Sequence, residues 1–196
     1  MRTTLPMLAI IFALSATTTH AAGTKPADLV FDLSAGECFD STERVGHDLA
    51  RYKANVLAVQ ERLEGRDASL LGTISFSAPQ DIGTVREMLD WYGIKPRLIF
   101  SHSRSAEGKT ATMAVRVKPG ATEDALRAAD PSPEKDLAFQ GVVSIVGLVP
   151  NRHVASLQQD SRVYLVDITG DSQVTDHKAC DGYVQHVTWQ LYGLTQ

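Results

Sequence analysis

The chain has 196 residues, 43% hydrophobic and 21% charged, with a formal net charge of −4 when the histidines are neutral. This mild acidity excludes the basic face that nucleic acid demands and offers nothing to an anionic membrane surface. Composition near the globular average, with no low-complexity tract, points to one ordinary domain with a sizeable core.

The chain opens MRTTLPMLAIIFALSATTTHAAG. Arg2 supplies a positive start, and Leu5 to Ala16 is an apolar run of about a dozen residues, the length of a signal-peptide core and too short for a membrane anchor. Thr19-His20-Ala21 presents a small-x-small cleavage site before Ala22, with cleavage after Ala22 as the competitor. Residues 1–21 are therefore expected to be a cleaved signal peptide and the mature protein periplasmic or secreted. Removing Arg2 would take the net charge to −5. No cysteine directly follows the apolar run, which argues against a lipid anchor, and no later stretch approaches the ~20 apolar residues of a membrane span.

The two cysteines, Cys38 and Cys180, stand near opposite ends of the mature chain. In an oxidising compartment they are expected to form a disulfide. Closing so long a loop removes up to ~5 kcal/mol of unfolded-state entropy on the chain-entropy model. The alternative is a metal site, because His177 and Cys180 have H-x-x-C spacing with His186 nearby, and zinc accepts such ligands together with Cys38.

Residues 22–66 read as an extended lead-in followed by a long amphipathic helix. Asp40-Ser41-Thr42-Glu43 has the form of a capping box. Val45, Leu49, Tyr52, Val56, Val59 and Leu63 then recur at alternating intervals of four and three, one stripe of a helix that Gly65 would end. The stripe is expected to pack on the protein's own sheet. A coiled-coil seam is the alternative, which would make the protein a weak dimer through this helix rather than a monomer.

Residues 67–196 form the main domain. Leu71–Ser77 reads as a strand, Asp81–Tyr92 as a helix with Ile82, Val85, Leu89 and Tyr92 on one face, and Pro96–Ser103 as the next strand. An insertion over 104–138 holds a turn, an alternating strand (Ala111, Met113, Val115 and Val117 on one side) expected at a sheet edge, and a short helix over Ala121–Ala129. The strand–helix–strand unit then repeats: strand Gly141–Val149, a short helix with Val154 and Leu157 inward, and strand Arg162–Thr169. Two such units in one sheet give an α+β, ferredoxin-like βαββαβ fold, antiparallel, with helices on one face. Tyr183–Leu194 is expected to add a C-terminal strand with Val187, Trp189 and Leu191 inward.

No motif for nucleophilic, phosphate-binding or metalloprotease chemistry occurs, so no catalytic residue and no cofactor is assigned. Ser101-His102-Ser103 places serine and histidine on opposite faces of a strand, out of reach of one another. His47 and His153 are expected on helix surfaces. Asp167, Asp171 and Asp176 flank a strand end, where carboxylates commonly turn the chain, with calcium as the sharper alternative.

Phe139-Gln140-Gly141-Val142-Val143, then Val149-Pro150, Val154, Leu157, Asp160-Ser161-Arg162-Val163 and Val166-Asp167, resemble the second half of the subtilisin-propeptide inhibitor family. The resemblance covers residues 139–167. It implies the same ferredoxin-like fold and an inhibitor-like role, by strand addition at a sheet edge or by a tail entering a protease cleft. Unlike that family, the chain continues well beyond its last matching strand. The expected function is thus binding of an unidentified protein or peptide partner, without catalysis. The different-class alternative is a metal-binding protein or enzyme using His177, Cys180 and His186.

Overall fold

Apolar spacing sets the first element. The computed structural model describes residues 49–130, 137–171 and 174. Within them α1 (Leu49–Leu63) turns Tyr52, Val56, Val59 and Leu63 inward, and all four are buried in the chain's own core. The helix stops where Gly65 takes a positive φ of 78°, a conformation that costs glycine little. Asp40 to Glu43, Val45 and His47 lie outside the described residues, as do residues 1–21, both cysteines, His177, His186, Asp176 and the expected C-terminal strand.

Nine further segments follow. They are β1 (Ser69–Gln80), α2 (Ile82–Tyr92), β2 (Lys95–Ser105), β3 (Thr110–Arg116), α3 (Thr122–Ala129), β4 (Leu137–Pro150), a 3-10 turn (Asn151–His153), α4 (Val154–Gln158) and β5 (Val163–Asp167). The sheet order is β3-β2-β4-β1-β5, and every neighbouring pair is antiparallel. The protein is therefore α+β, with β1–α2–β2 and β4–α4–β5 interleaved so that the strands of each unit lie parallel with one strand between them. The insertion widens this sheet: β3 pairs with β2 at one edge, and α3 returns over β2, where Ser101 Oγ donates to the Ala129 carbonyl at 2.6 Å.

Most strands run longer than their apolar patterns suggest, because backbone pairing continues past the hydrophobic residues. β1 and β4 remain in register out to Ser69 opposite Pro150. β5 is the exception. It ends at Asp167, whose carboxylate takes the Thr169 N–H at 2.8 Å and turns the chain. His153 also departs from expectation: it sits in the 3-10 turn, half-buried, with its ring edge-on to Tyr92.

Strand alternation divides the sheet into two faces. Ile74, Ile145 and Ile99 lie side by side on one face and form the core with residues of all four helices, among them Val56, Val85, Met88, Leu126 and Leu157. The β5 edge, a row of groups that would otherwise invite foreign strands, is closed by two glutamines. Gln158 receives the Val166 N–H at 2.8 Å and donates to the Tyr164 carbonyl at 3.2 Å, while Gln60 of α1 donates to the Val166 carbonyl at 2.5 Å. Asn151 ties the end of α1 to the sheet by donating to the Leu63 and Arg66 carbonyls at 2.6 and 2.9 Å.

The central pairing of β4 with β2 depends on a missing side chain. A Cβ at Gly147 would stand 2.6 Å from the Lys95 carbonyl oxygen and 2.9 Å from the Pro96 Cα, both backbone atoms of the neighbouring strand. Register shifts between Pro96 and Leu98, where proline brings no N–H to the ladder, and the strands close up on the glycine instead. Gly147→Ala is expected to lower stability by about 2 kcal/mol or more, as overpacking against unyielding backbone does. Urea unfolding of the variant beside the parent chain checks this; an unchanged midpoint would contradict the packing described.

Candidate interaction surface

The α2 C-terminus meets the turn leading into β5 and makes a rigid corner. Tyr92 faces inward on α2, and its hydroxyl donates to Asp160 Oδ2 at 3.1 Å. Arg162 folds back onto the same carboxylate through Nε at 2.9 Å and Nη2 at 2.6 Å, and its backbone N–H adds a bond at 3.0 Å. The Val163 N–H closes the turn on the Asp160 carbonyl at 2.9 Å. The Arg162 side chain holds the Asp160 carboxyl down to about 2, against the opposing effect of burial, with the Arg162 N–H and Tyr92 hydroxyl assisting. Burial first, and then the bond to Asp160, push the Tyr92 hydroxyl up from its ordinary value.

Trp91 stands on this corner. One position before the buried Tyr92, it falls on the other side of the helix and is 80% exposed, beside an open cleft of about 620 Å³ that it lines with Glu87, Asp90, Tyr92 and Arg162. An exposed indole on a rigid element is uncommon in a soluble protein unless it has something to bind. Trp91 does not emerge as a candidate from the sequence, where its apolar neighbours draw attention to the inward face. The signal was there in its spacing: a tryptophan that breaks the stripe Val85, Leu89 and Tyr92 has to face outward.

The residues weighed for chemistry are not brought together. Ser101 is buried on the core face, whereas His102 lies half-buried on the opposite one, where burial lowers its pKa. Asp167 accepts from the Tyr52 hydroxyl, the Thr169 N–H and, at 2.6 Å, the Thr169 hydroxyl. Asp171 takes the Leu71 N–H at 2.6 Å. Both carboxylates thus bind chain to chain, and among the described residues no group of three or more histidines, cysteines or carboxylates is arranged to hold a metal ion.

The opposite end of the sheet offers a second surface. β3 pairs only with β2, and its other edge is open in the described part of the fold. Val117 donates to the Arg97 carbonyl at 2.8 Å, so by alternation the backbone groups of Thr112, Ala114 and Arg116 point away from β2.

No family model, no curated protein and no solved structure matches the chain.

The Asp160 cluster should register in acid stability. Its carboxyl is lower in the folded protein than in the unfolded chain, so its contribution is full above about pH 4 and fades as pH falls toward about 2. Asp160→Asn is expected to cost about 1–2 kcal/mol near neutral pH, because Arg162 is partly solvated, and to flatten the stability profile between about pH 4 and 2. Thermal melts of both chains across that range provide the check, with parallel profiles counting against the cluster.

Proposed function

We propose that this chain is an exported, non-enzymatic domain of the ferredoxin-like βαββαβ class that binds another protein or a peptide, with Trp91 as its anchor. The observation that carries the reading is the 80% exposure of that side chain on a corner fixed by four hydrogen bonds to Asp160. Binding energy at protein interfaces concentrates in a few residues, with tryptophan prominent, and a preorganised anchor forfeits little entropy on association. Glu87 and Asp90 flank the indole at a position suited to a partner's lysine or arginine, which the ring face also attracts.

An inhibitor-like variant of this function uses the open edge of β3. An extended peptide could add there as a further strand, paired to the outward groups of Thr112, Ala114 and Arg116. The two surfaces call for different substitutions. Trp91→Ala alters no buried contact and should change stability by less than about 0.5 kcal/mol. Ala114→Pro deletes an outward N–H and leaves the β2–β3 ladder its bonds.

The test immobilises the full chain and exposes it to envelope extract, then measures the affinity of any specifically retained protein for three chains: parent, Trp91→Ala and Ala114→Pro. The expected result is a loss of about 30-fold with Trp91→Ala, equivalent to ~2 kcal/mol for an aromatic anchor. Loss with Ala114→Pro alone moves the site to the β3 edge. Equal affinity for all three removes both surfaces from the function.

A further inference from the structure

The net charge of −4 hides an uneven distribution. Residues 95–118, the β2–β3 hairpin and its flanks, carry six lysines and arginines against the single carboxylate of Glu107. The rest of the chain therefore carries a net of −9. Glu107 is taken up by Lys109 at 2.8 Å in the hairpin turn, and Arg104 Nε donates to the Gly108 carbonyl at 3.3 Å. Lys95, Arg97, Arg116 and Lys118 are all exposed, and among the described residues none of them has a carboxylate partner.

Three of these four cations share one cleft. Lys95 and Arg97 at the start of β2 and Lys118 just past β3 line an open space of about 370 Å³, together with Val117, Pro119 and Leu148, and no carboxylate lines it. Glu123 and Asp124 follow the cleft-lining Thr122 on α3, but Glu123 is held by Arg86 at 2.6 Å and neither reaches the cleft. Like charges gathered without a counter-charge draw anions to the space between them. The Val117 N–H donates to the Arg97 carbonyl at 2.8 Å, so the cleft opens beside the last rung of the β2–β3 ladder. Arg116, the final residue of β3, stands there too.

We infer that the strand accepted at the β3 edge is an acidic segment of another polypeptide. Its backbone pairs with Thr112, Ala114 and Arg116, and its carboxylates meet Arg116 and the cleft of Lys95, Arg97 and Lys118. The inference rests on the β3-edge variant of the function proposed above and adds the chemistry of its partner. Charges on an edge deter an arbitrary strand and select one of opposite sign. A polypeptide fits this surface better than a nucleic acid, because β3 (TATMAVR) offers open backbone groups and no aromatic ring on which a base could stack.

The test titrates the full chain into fluorescein-labelled peptides of about ten residues, enough to span β3. One alternates threonine with glutamate, the others threonine with glutamine or with lysine. The glutamate peptide is expected to bind about 10-fold tighter than the glutamine peptide, and the lysine peptide not at all. The double variant Arg97→Gln, Lys118→Gln should weaken the glutamate complex about 10-fold, as should Ala114→Pro, with far-UV circular dichroism checking that each variant folds. Slower amide exchange at Thr112, Ala114 and Arg116 in the parent complex reads the strand pairing without any substitution. Equal binding of the glutamate and glutamine peptides, lost with Ala114→Pro, overturns the acidic preference and leaves the edge a strand acceptor. Glutamate binding that neither slows exchange at those amides nor responds to Ala114→Pro overturns the edge itself and leaves a plain anion site. Tighter binding of an oligothymidylate of equal length, or no peptide binding at millimolar protein, overturns the inference as well.

Discussion

β4 governs this fold. Among the described strands it alone has ladders to two long neighbours, β1 and β2, and nearly every residue from Gly141 to Val149 is buried. A strand buried along both edges and on both faces has no tolerance for bulk in the wrong place, hence the glycines at 141 and 147, where backbone of β1 and β2 comes within 2.9 Å of a would-be Cβ. It also imposes a demand on everything else. Each of its two faces requires a cover, and the four described helices together supply one of them.

The two edges of the sheet are treated in opposite ways. On the β5 side, Gln60 and Gln158 return hydrogen bonds to the backbone groups that strand pairing leaves over, and α1 is held against them through Tyr52 and Asp167. The glutamines link a helix to a strand edge and thereby make α1 part of the domain rather than an appendage. On the β3 side the edge is short and polar, with Thr110, Thr112 and Arg116 exposed, features that discourage uncontrolled strand pairing. The Trp91 corner lies between these extremes. Its backbone is pinned by Asp160, while the indole is left in water.

Apolar periodicity made much of this architecture legible. The stripe from Tyr52 to Leu63, the face of α2 and the inward Val154 and Leu157 could all be read because burial selects side chains at regular spacing. Gly65 could be read as a stop because glycine alone tolerates the left-handed conformation that ends a helix cheaply, and it takes a positive φ. The polar contacts were not legible. Nothing in the spacing of Gln60 and Gln158, 98 positions apart, says that they meet, and Asp160 gains its role only when the fold brings Tyr92 to it. Trp91 escaped notice for a related reason: an aromatic residue is read as core unless its phase relative to its neighbours is followed. Cys38, Cys180, His177 and His186 all fall outside the described residues, so the disulfide and its metal alternative stand as expectations.

The path of the chain after β5 constrains how any partner can be engaged. An inhibitor of the subtilisin-propeptide type, the role expected from the sequence of residues 139–167, would need its last strand to run directly into a tail that enters a protease cleft. Here Asp167 turns the chain back at once, Ile168 is buried against Gly72, and Asp171 is bonded to Leu71 on β1. Pulling residues 168–174 free to act as such a tail would expose Ile168 and Val174, a loss of roughly 3–5 kcal/mol, and leave the Leu71 N–H without its acceptor. Recognition is cheaper at a surface that is already in place. That argument favours the Trp91 corner and the β3 edge over any mechanism that peels Ile168 and Asp171 away from β1.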